Sequence, residues 1–551
     1  MPRAKAALFS PDYFLSYSYF KVRKDFGYIV IENYKMRKIV TLFLINCSVL
    51  LVNAQRHDNN WLWGVFTSYQ DSSQYFLGNA QGDFNNDSIT VYSKFHNMPF
   101  DASVGYFSNA DGELLIYTNG MQIRDTTGNL IEKGDSINHD VWWDLNYQNM
   151  MDGFYGFPSA REAILFYQPG NDSTIFMIHE HPSSTDLFDN KIKLTKIAAS
   201  RDGTFSVTKK NIVISQYAPS FQNTAACKHG NGRDWWVLFT DVNTNCVVKL
   251  LITDDTLIEY DRQCIGDTIE AGWGCKATFS LDGTKFSSSD AQKNGTNIFD
   301  FDRCSGRLSN PQHIPPIVKY DSLGFIGSDV NSVDFSPDNQ FMYVFLGELI
   351  LQFDLESPQF PNDFDTIVGW DTFIDTGVNS VPFVYFSSSY GPDGKLYIGP
   401  AGGQRFLCTI NNPNGKGAAC DFRMRNIQLP KVWSYTSPNI PNYRLGRLPG
   451  SACDTIYSDI KPIYTQTPWL KVYPNPATDV VRFEYNWVEW DAVGDCQLVL
   501  ADLQGRVVLS QTIPKYSSRQ EVNIKELAAG VYTASVQSGE KRIAVCKVVK
   551  E

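Results

Sequence analysis

Two histidines placed two positions apart, His179 and His181, form the sharpest local pattern in the chain that could do chemistry. On a strand such residues face the same side, so both imidazoles could hold one metal ion. The third ligand would have to come from one of the few remaining histidines, since the chain has seven in all. The alternative is a pair of strand-end histidines before Pro182. We expect no metal at this pair.

A second pattern, Asp83, Asn85 and Asp87, alternates carboxylate and amide oxygens in the manner of a calcium loop. Such a loop ends in a bidentate Glu, and this chain has Lys94 in that place. An ordinary turn before a strand is therefore expected, with calcium binding as the alternative. The sequence predicts no resident cofactor.

The sequence contains no Gly-x-Ser-x-Gly elbow, no His-Glu-x-x-His helix motif and no phosphate-binding glycine loop. Glycoside hydrolysis by a pair of carboxylates remains an open alternative, because such a pair is defined by its separation in space and not by its spacing in sequence. No catalytic residue is assigned on this basis. If the protein binds a ligand, exposed tryptophans could contact it. The candidates are Trp142-Trp143, Trp235-Trp236 and Trp273, and the alternative is that these side chains are buried in the core of the blades.

Ten cysteines follow residue 54, and three pairs among them are close enough in sequence for local disulfides. An exported protein can oxidise them, and we expect at least two disulfides within residues 227–453. Connectivity cannot be deduced from spacing, and buried thiols are the alternative. The candidate pairs are Cys227/Cys246, Cys264/Cys275 and Cys408/Cys420.

The strands that must position the candidate residues follow a pattern that repeats along the chain. Six turn signals, each followed by an apolar strand-like run, recur about every 50–60 residues, the length of a four-stranded propeller blade. Asp and Asn before Gly favour type I′ or related turns, because these residues tolerate positive φ. The markers are Asp111, Asp172, Asn231, Asp282, Asp338 and Asp393.

The predicted fold is all-β, with a seven-bladed (six to eight) β-propeller over residues 55–455. Six units are visible, and the seventh is expected to combine Trp61–Thr90 with the segment after Cys420. The turns at Ser336-Pro-Asp338 and Gly391-Pro-Asp-Gly394 resemble those of WD40-like and TolB-like propellers. An array of β-sandwiches is the competing interpretation, because Asp-Gly hairpins occur in any all-β fold.

The net charge of the chain is −11. It is more negative without residues 1–54, which carry more Lys and Arg than Asp and Glu. A protein with this negative charge is poorly suited to binding nucleic acid or anionic lipid. We therefore expect no nucleic-acid partner.

The front of the chain predicts export. A basic start at Met36, an apolar run Ile39–Val52 and small residues up to Ala54 have the form of a secretory signal peptide over residues 36–54. Cleavage is expected between Ala54 and Gln55. Residues 1–35 lack a periodic pattern and are interpreted as an extension of the gene model.

The tail carries four motifs in register, and their order resembles the type A C-terminal sorting domain of proteins exported by the type IX secretion system of the Bacteroidetes. Five strand-like runs predict an Ig-like antiparallel sandwich over residues 468–551, after a linker at 456–467. The resemblance implies recognition by the type IX machinery at the outer membrane. It also implies removal of the tail, with attachment to surface lipopolysaccharide or release. The matching positions are Pro474, Asn475, Pro476, Gly505, Gly530, Tyr532, Lys547 and Lys550.

These patterns predict a secreted or surface-exposed propeller that binds a glycan, peptide or protein ligand in its central depression or on a blade face. The alternative is a hydrolase of extracellular polysaccharide that uses carboxylates at the propeller axis. Two or three carboxylates about 5–10 Å apart around the axis, flanked by aromatic residues and an arginine, would favour the enzyme.

Deleting Leu470–Glu551 should trap the protein in the periplasm, because the sorting signal lies in that segment. Fractionation and immunoblotting of cells that express the truncated and full-length chains measure this. Truncated protein at the cell surface or in the medium would show that the tail is not the sorting signal.

Overall fold

The computed structural model describes most of the chain after residue 54 and two short strands before it, and the statements below concern these residues. The contacts divide the chain into Met1–Ala54 and Gln55–Glu551. In the first unit, β1 (Val22–Lys24) and β2 (Gly27–Ile29) form an antiparallel hairpin. The described ranges are 22–24, 27–29, 55–64, 79–84, 88–100, 104–139, 143–144, 163–181, 190–200, 203–254, 257–270, 276–290, 294–317, 319–321, 324–326, 330–369, 371–374, 382–401, 404–433, 439–454, 469–486, 496–513, 519–538 and 541–551.

Seven antiparallel sheets of three or four strands, numbered 1 to 7 in chain order, lie in the described part of residues 60–433, together with two two-stranded sheets. Sheets 1 and 2 have three strands each, and the others have four. Sheet 1 is β3 (Asn60–Trp63), β4 (Ala80–Asp83) and β5 (Thr90–Ser93). Sheet 2 is β6 (Gly105–Ser108), β7 (Leu114–Thr118) and β8 (Ile123–Asp125). Sheet 3 is β9 (Ala163–Gln168), β10 (Asn171–His181), β11 (Lys191–Ala199) and β12 (Phe205–Val213).

The remaining sheets repeat the four-stranded meander. Sheet 4 is β13 (Pro219–Lys228), β14 (Trp235–Asp241), β15 (Thr244–Ile252) and β16 (Leu257–Ile269). Sheet 5 is β17 (Ala277–Phe279), β18 (Lys285–Ser289), β19 (Thr296–Phe301) and β20 (Leu308–Ile314). A hairpin, β21 (Lys319–Asp321) and β22 (Gly324–Ile326), precedes sheet 6, which is β23 (Ser332–Phe335), β24 (Phe341–Phe345), β25 (Ile350–Asp354) and β26 (Phe364–Val368). The short pair β27 (Asp371–Ile374) and β28 (Pro382–Phe383) precedes sheet 7, which is β29 (Tyr385–Tyr390), β30 (Leu396–Pro400), β31 (Gln404–Ile410) and β32 (Phe422–Trp433).

The sheets follow one another around a ring. The first strands of successive sheets contact each other in the pairs β6–β9, β13–β17, β17–β23 and β23–β29, and β10 contacts β13. Sheet 7 meets sheet 1 where β32 contacts β4 and β5. The predicted all-β propeller is confirmed, and the described sheets are consistent with seven blades.

Sheet 1 differs from the others in the direction of its first described strand. The start of β3 lies at the turn end of the β6–β7 hairpin, where the Ser108 amide donates to the His57 carbonyl at 3.3 Å and Asn60 Nδ2 donates to the Gly112 carbonyl at 2.6 Å. The chain direction of β3 is therefore that of the second strand in the other sheets. Among the described residues, no strand of sheet 1 corresponds to their first, innermost strand. Whether the segment after Cys420 fills that place stays a prediction, because residues 434–438 lie outside the described ranges.

Five of the six turn markers lie between the first and second strands of their sheets, and Asp172 is the second residue of β10. The turns are the related type rather than type I′. In the Ser280–Gly283 turn only Gly283 has positive φ, 72°, and its amide donates to the Ser280 carbonyl at 2.9 Å. This is a type I turn followed by a left-handed residue. Asp282 Oδ1 accepts from Ser280 Oγ at 2.7 Å and from the Thr284 amide at 3.0 Å, which explains why the marker is Asp.

The blades are held together by apolar clusters between neighbouring sheets. One cluster joins Trp236 and Leu238 of sheet 4 to Phe286 and Phe299 of sheet 5. A second joins sheets 6 and 7 in the same way. Burial of one such aromatic side chain contributes about 1.5–3 kcal/mol. Among the predicted binding tryptophans, Trp143, Trp235 and Trp236 are buried, and Trp142 and Trp273 lie outside the described residues.

Two disulfides lie within residues 227–453, as expected, but their pairing differs from the predicted one. Cys246 pairs with Cys264, its direct cross-strand partner on the β15–β16 hairpin. The predicted pairs Cys227/Cys246 and Cys264/Cys275 are therefore wrong; Cys227 is a buried thiol, and Cys275 lies outside the described residues. The second bond joins Cys304 to Cys453 across 149 residues, which local spacing cannot reveal.

The predicted Cys408/Cys420 bridge is also wrong, because both residues are buried thiols. The β31–β32 register pairs Ile410 with Phe422. Cys408 faces Arg425, whose amide lies 3.2 Å from its Sγ. Cys420 lies beyond the strand end in the 3₁₀ turn Gly417–Cys420. The offset along the hairpin exceeds the Cα separation of about 7 Å that a disulfide can span.

The tail forms two packed sheets around one core, which confirms the predicted sandwich. One sheet has the order β33–β34–β37 and the other β36–β35–β38–β39. All five predicted runs are strands, and β33 and β37 were not predicted. The strands are β33 (Trp469–Tyr473), β34 (Val480–Asn486), β35 (Cys496–Ala501), β36 (Val507–Ile513), β37 (Arg519–Asn523), β38 (Gly530–Ser538) and β39 (Lys541–Lys550).

Loss of the Cys304–Cys453 bond should lower the free energy of unfolding more than loss of the Cys246–Cys264 bond. The first closes a loop of 149 residues and the second a loop of 18. Loop-closure entropy predicts costs of about 5 and about 3 kcal/mol, respectively. Thermal unfolding of Cys304→Ser/Cys453→Ser beside Cys246→Ser/Cys264→Ser measures the order. Equal stability of the two double variants would contradict the prediction.

Candidate functional site

A non-regular segment of the chain, residues 439–445, crosses the inner strands and is called the axial plug. Asn439 Nδ2 donates to the Thr224 carbonyl at 2.8 Å, Asn442 Nδ2 to the Leu281 carbonyl at 2.6 Å, and the buried Tyr443 hydroxyl to the Leu165 carbonyl at 2.5 Å. These acceptors belong to sheets 3, 4 and 5. The plug therefore ties three blades together near the axis.

The residues after the plug are fixed to sheets 4 and 5. Arg303 Nη2 donates to the Gly446 carbonyl at 2.6 Å, and the Leu448 amide donates to the Gly230 carbonyl at 2.8 Å. The Cys304–Cys453 disulfide closes this attachment covalently. The plug is thus held at a defined position.

A pocket of ≈ 930 Å³, a volume that includes space open to solvent, lies between the plug and the inner strands of sheets 4 to 7. Apolar side chains and two ion pairs share its lining. Its lining includes Asp58, Lys276, Phe279, Asp334, Tyr390 and Arg444.

The first ion pair joins two blades. Lys276 Nζ lies 2.7 Å from both carboxylate oxygens of Asp334 and donates to the Ser388 carbonyl at 3.1 Å. The Ser388 hydroxyl also donates to Asp334. Both charged side chains are less than a tenth exposed. Removing one partner of such a pair leaves a buried charge uncompensated, which costs about 3–5 kcal/mol.

The second ion pair joins the plug to the front of the propeller. Arg444 Nη1 donates to Asp58 Oδ2. Asp58 is 7% exposed, whereas the Arg444 side chain keeps 31% of its surface exposed. Asp58 Oδ1 is buried without any hydrogen-bond partner. One oxygen of the Asp58 carboxylate is therefore buried without a partner, beside the oxygen that Arg444 holds.

Of the predicted metal candidates, only His179 and Asp83 have described side chains. His179 Nδ1 lies 2.9 Å from Asn138 Oδ1, and His179 Nε2 lies 2.9 Å from Thr195 Oγ1, so both of its ring nitrogens already have side-chain partners. Asp83 ends β4, and Asn85 and Asp87 lie outside the described residues, as does the His181 side chain. Within the described ranges no group of three or more His, Cys, Asp or Glu side chains is arranged to hold a metal ion.

Glu180 is a buried carboxylate that sequence reasoning missed. Its Oε2 accepts from the Gln222 amide at 3.0 Å and its Oε1 from Thr224 Oγ1 at 2.5 Å, across the boundary between sheets 3 and 4. Burial raises the pKa of Glu180 to about 7, and the two hydrogen bonds oppose that rise. Glu180 does not line the axial pocket, so it joins two blades and is not placed to act on a ligand there.

The sorting-motif residues cluster around the last strand of the tail. Asn475 Nδ2 donates to the Lys547 carbonyl at 2.8 Å, and its Oδ1 accepts from the Val549 amide at 2.7 Å. These bonds hold the segment with Pro474 and Pro476 against β39. Tyr532 donates to the Ala528 carbonyl at 2.7 Å. Gly505 (φ 79°) closes the Asp502–Arg506 turn, and Gly530 pairs with Lys550.

The pocket residues Asp58, Lys276, Asp334 and Arg444 were not predicted. The nearest sequence signal was the Ser336-Pro-Asp338 turn, two residues after Asp334, and it indicated a hairpin and not a site. Ala54 lies outside the described residues. Gln55 Oε1 accepts from Lys228 Nζ at 2.8 Å, so the residue expected to begin the mature chain contacts sheet 4.

Residues 471–551 match the secretion system C-terminal sorting domain family. No curated protein matches the chain. Similar solved structures include a Lactobacillus plantarum protein, with 13% identity, 68% of this chain and 98% of that chain covered and a TM-score of 0.40. They also include a putative 6-phosphogluconolactonase from Bacteroides uniformis (14% identity, 68% and 98% covered, TM-score 0.37) and the Dos1 propeller (10%, 68% and 82%, 0.37).

The sorting domain marks the chain for export to the cell surface or the medium through the type IX secretion machinery. In the described parts of the chain, no helix has the length and apolarity to cross a membrane. The structural likenesses concern the fold and carry no argument about activity.

Glu180→Gln should change the pH dependence of stability. Since the folded pKa is raised from 4.5 to about 7, the contribution of Glu180 is full below pH 4.5 and is lost as pH rises towards 7. The variant should gain about 3 kcal/mol relative to the parent between pH 4.5 and 7.5. Urea unfolding across this range, with exposed Glu113→Gln as the control, measures it. A pH-independent difference would refute the assignment.

Proposed function

We propose that the exported propeller is a binding module whose ligand enters the axial pocket. The observation that carries this proposal is that both carboxylates in the lining of the pocket are engaged in ion pairs. Asp334 is held by Lys276 and Ser388, and Asp58 is held by Arg444. Each carboxylate already has its own cation.

The hydrolase alternative requires one carboxylic acid that protonates the leaving group and one free carboxylate that acts as base or nucleophile. Asp334 is engaged by Lys276 and Ser388, and Asp58 is engaged by Arg444. Neither is the free carboxylate that the reaction requires. The third buried carboxylate described above, Glu180, faces Gln222 and Thr224 instead of the pocket. The lining also contains Phe279, Tyr390 and Arg444, so the pairing of both carboxylates, and not the composition of the pocket, is what favours binding over hydrolysis.

Delivery and binding are separate tasks of the two folded parts. The tail brings the protein to the type IX machinery, and the propeller then meets an extracellular ligand. Removal of the tail, with attachment to surface lipopolysaccharide or release, belongs to the same proposal. The acidic charge of the chain, −11, disfavours nucleic acid as the ligand.

Filling the pocket should abolish binding without unfolding the propeller. Thr278 lines the pocket and is partly exposed, so Thr278→Trp places an indole in the ligand space. Thr208→Trp, at an exposed position of β12, is the matched control. The full chain and both variants are applied to an array of neutral glycans, charged glycans and peptides, and their melting temperatures are compared.

We expect the parent and Thr208→Trp to bind the same probe and Thr278→Trp to bind it at least about 10-fold more weakly, which corresponds to 1.4 kcal/mol. Absence of any binding by the parent, or equal binding by all three proteins, would overturn the proposed site. Release of shortened glycan by the parent would replace the binding module with the hydrolase.

A further inference from the structure

We infer that the sorting tail binds the type IX machinery by strand addition at the free edge of β36, Val507–Ile513. A component of the machinery supplies an extended, uncharged segment whose main chain pairs with that of β36. This inference rests on the sorting assignment of residues 471–551 and adds the surface by which the tail is recognised. It follows from the way in which the chain protects its other sheet edges.

The strand β36 lies at one edge of the four-stranded sheet of the tail. The order of that sheet is β36–β35–β38–β39, so one side of β36 pairs with β35. Within the described ranges, neither a strand nor an isolated bridge pairs with its other side. The amide and carbonyl groups that point to that side are therefore available to another strand.

The side chains of β36 leave this edge accessible. Its sequence, Val-Val-Leu-Ser-Gln-Thr-Ile, contains no charged residue and no proline. Five of its seven residues are exposed, and they include Val507 at 61% and Val508 at 38%. Such residues form strands readily, and without a charge or a proline nothing in the sequence opposes pairing with a further strand.

The other edges of the tail are covered or charged. The segment before β34 covers the edge at β39, where the Ala477 amide donates to the Val549 carbonyl at 2.9 Å. The edge strand β37 carries Arg519 and Glu521, and the edge strand β33 carries Lys471. Covering and charging an edge are the usual ways in which proteins prevent unwanted strand pairing.

The propeller protects its outer strands in the same manner. The outer strands of sheets 2 to 7 each contain a charged residue or a proline. The outer strand of sheet 1, β5, contains neither but has only four residues, and short length is itself a protection. Among these outer strands and the edge strands of the tail, as far as the structure describes them, only β36 is longer than four residues and unprotected.

A component of the machinery fits this edge better than a second copy of the chain. Two copies that paired through β36 would contribute seven residues each, whereas a stable interface has about 20–30 residues on each side. A contact of this size is reversible, and a sorting signal must be bound and then released. In strand addition, main-chain hydrogen bonds supply the affinity, so a short segment is sufficient.

The side chains beside the free edge indicate the chemistry of the partner segment. Gln497 Nε2 of β35 donates to Thr512 Oγ1 at 2.9 Å, and Ser510 Oγ donates to Gln497 Oε1 at 3.4 Å. Ser510 and Thr512 therefore lie on the same face of the sheet. Hydroxyl pairs and β-branched pairs stabilise neighbouring strands, and β36 has no charge that requires a counter-charge. The partner segment is therefore expected to be rich in Ser, Thr and Val.

The test changes the edge of β36 in the full chain, expressed in a host that has the type IX machinery. Ser510→Lys and Thr512→Lys, made singly, each place on the exposed edge a lysine, which hinders strand pairing. Ser510→Val keeps the edge uncharged and is a good strand former. Thr533→Lys, at an exposed position of the interior strand β38, is the matched control. Limited proteolysis shows whether the tail of each variant is folded.

We expect each lysine variant on β36 to be exported about 10-fold less than the parent, the change that a loss of 1.4 kcal/mol in binding produces. The unexported protein should accumulate in the periplasm, as fractionation and immunoblotting show. Ser510→Val and Thr533→Lys should be exported like the parent.

Light-activated cross-linking in the same cells identifies the partner. Benzoylphenylalanine in place of Ser510 should cross-link the tail to a component of the type IX machinery, identified by mass spectrometry, and in place of Thr533 it should not. If a lysine variant is unfolded, this cross-link decides the question.

Parent-like export of both lysine variants would overturn the assignment of the edge, as would an equal loss of export in Thr533→Lys or Ser510→Val. A cross-link from position 510 to a second copy of the chain would make β36 a dimer contact instead. The deletion of Leu470–Glu551 separates these failures from failure of the sorting assignment. If the deletion traps the protein while the lysine variants are exported, the tail remains the sorting signal and only the edge is excluded.

Discussion

A ring of sheets leaves an axis that something must fill, and here the chain fills it with its own residues 439–445. The inner strands around this axis carry many buried polar groups, among them Ser332, Asp334 and Ser388. Such groups are stable only when they find partners. The Lys276–Asp334 pair and the hydrogen bonds of the plug supply those partners. The pocket is lined by residues of both, and the front segment is held at Asp58 by Arg444 of the plug.

The polar character of the axis also bears on function. An apolar axis would close by packing, whereas paired charges and hydroxyls leave a lining that a polar ligand can share. Because Lys276 is paired with Asp334 and Arg444 with Asp58, these groups meet a ligand as members of ion pairs. This combination suits recognition better than proton transfer, which requires groups whose pKa values differ and whose protons can move.

Much of the fold was predictable from local patterns. The turn markers identified the hairpins of six sheets because Asp side chains such as Asp282 stabilise the turn itself, and five tail strands followed from apolar alternation. The strand β37 was missed because its sequence, Arg519–Asn523, is polar and mostly exposed. The expected seventh blade and the signal-peptide cleavage stay predictions.

The site could not be predicted in the same way. Asp58 and Arg444 are 386 positions apart in sequence, and Lys276 and Asp334 are 58 apart, so only the closed ring brings each pair together. The disulfides show the same limit: Cys246–Cys264 needed the hairpin register, and Cys304–Cys453 needed the whole propeller. The tryptophans were attractive as ligand platforms, yet those described are blade core, because large apolar rings stabilise most where they are buried.

The attachment at Cys453 also determines how the molecule bears mechanical load. Tension applied to the tail reaches the propeller first at Cys453, which is covalently bonded to Cys304 in sheet 5. The force therefore passes into a blade through a covalent bond and bypasses residues 439–452. The hydrogen bonds of the plug, which would yield one after another under a direct pull, remain unloaded. The axis of the propeller can thus stay assembled while the tail is under tension.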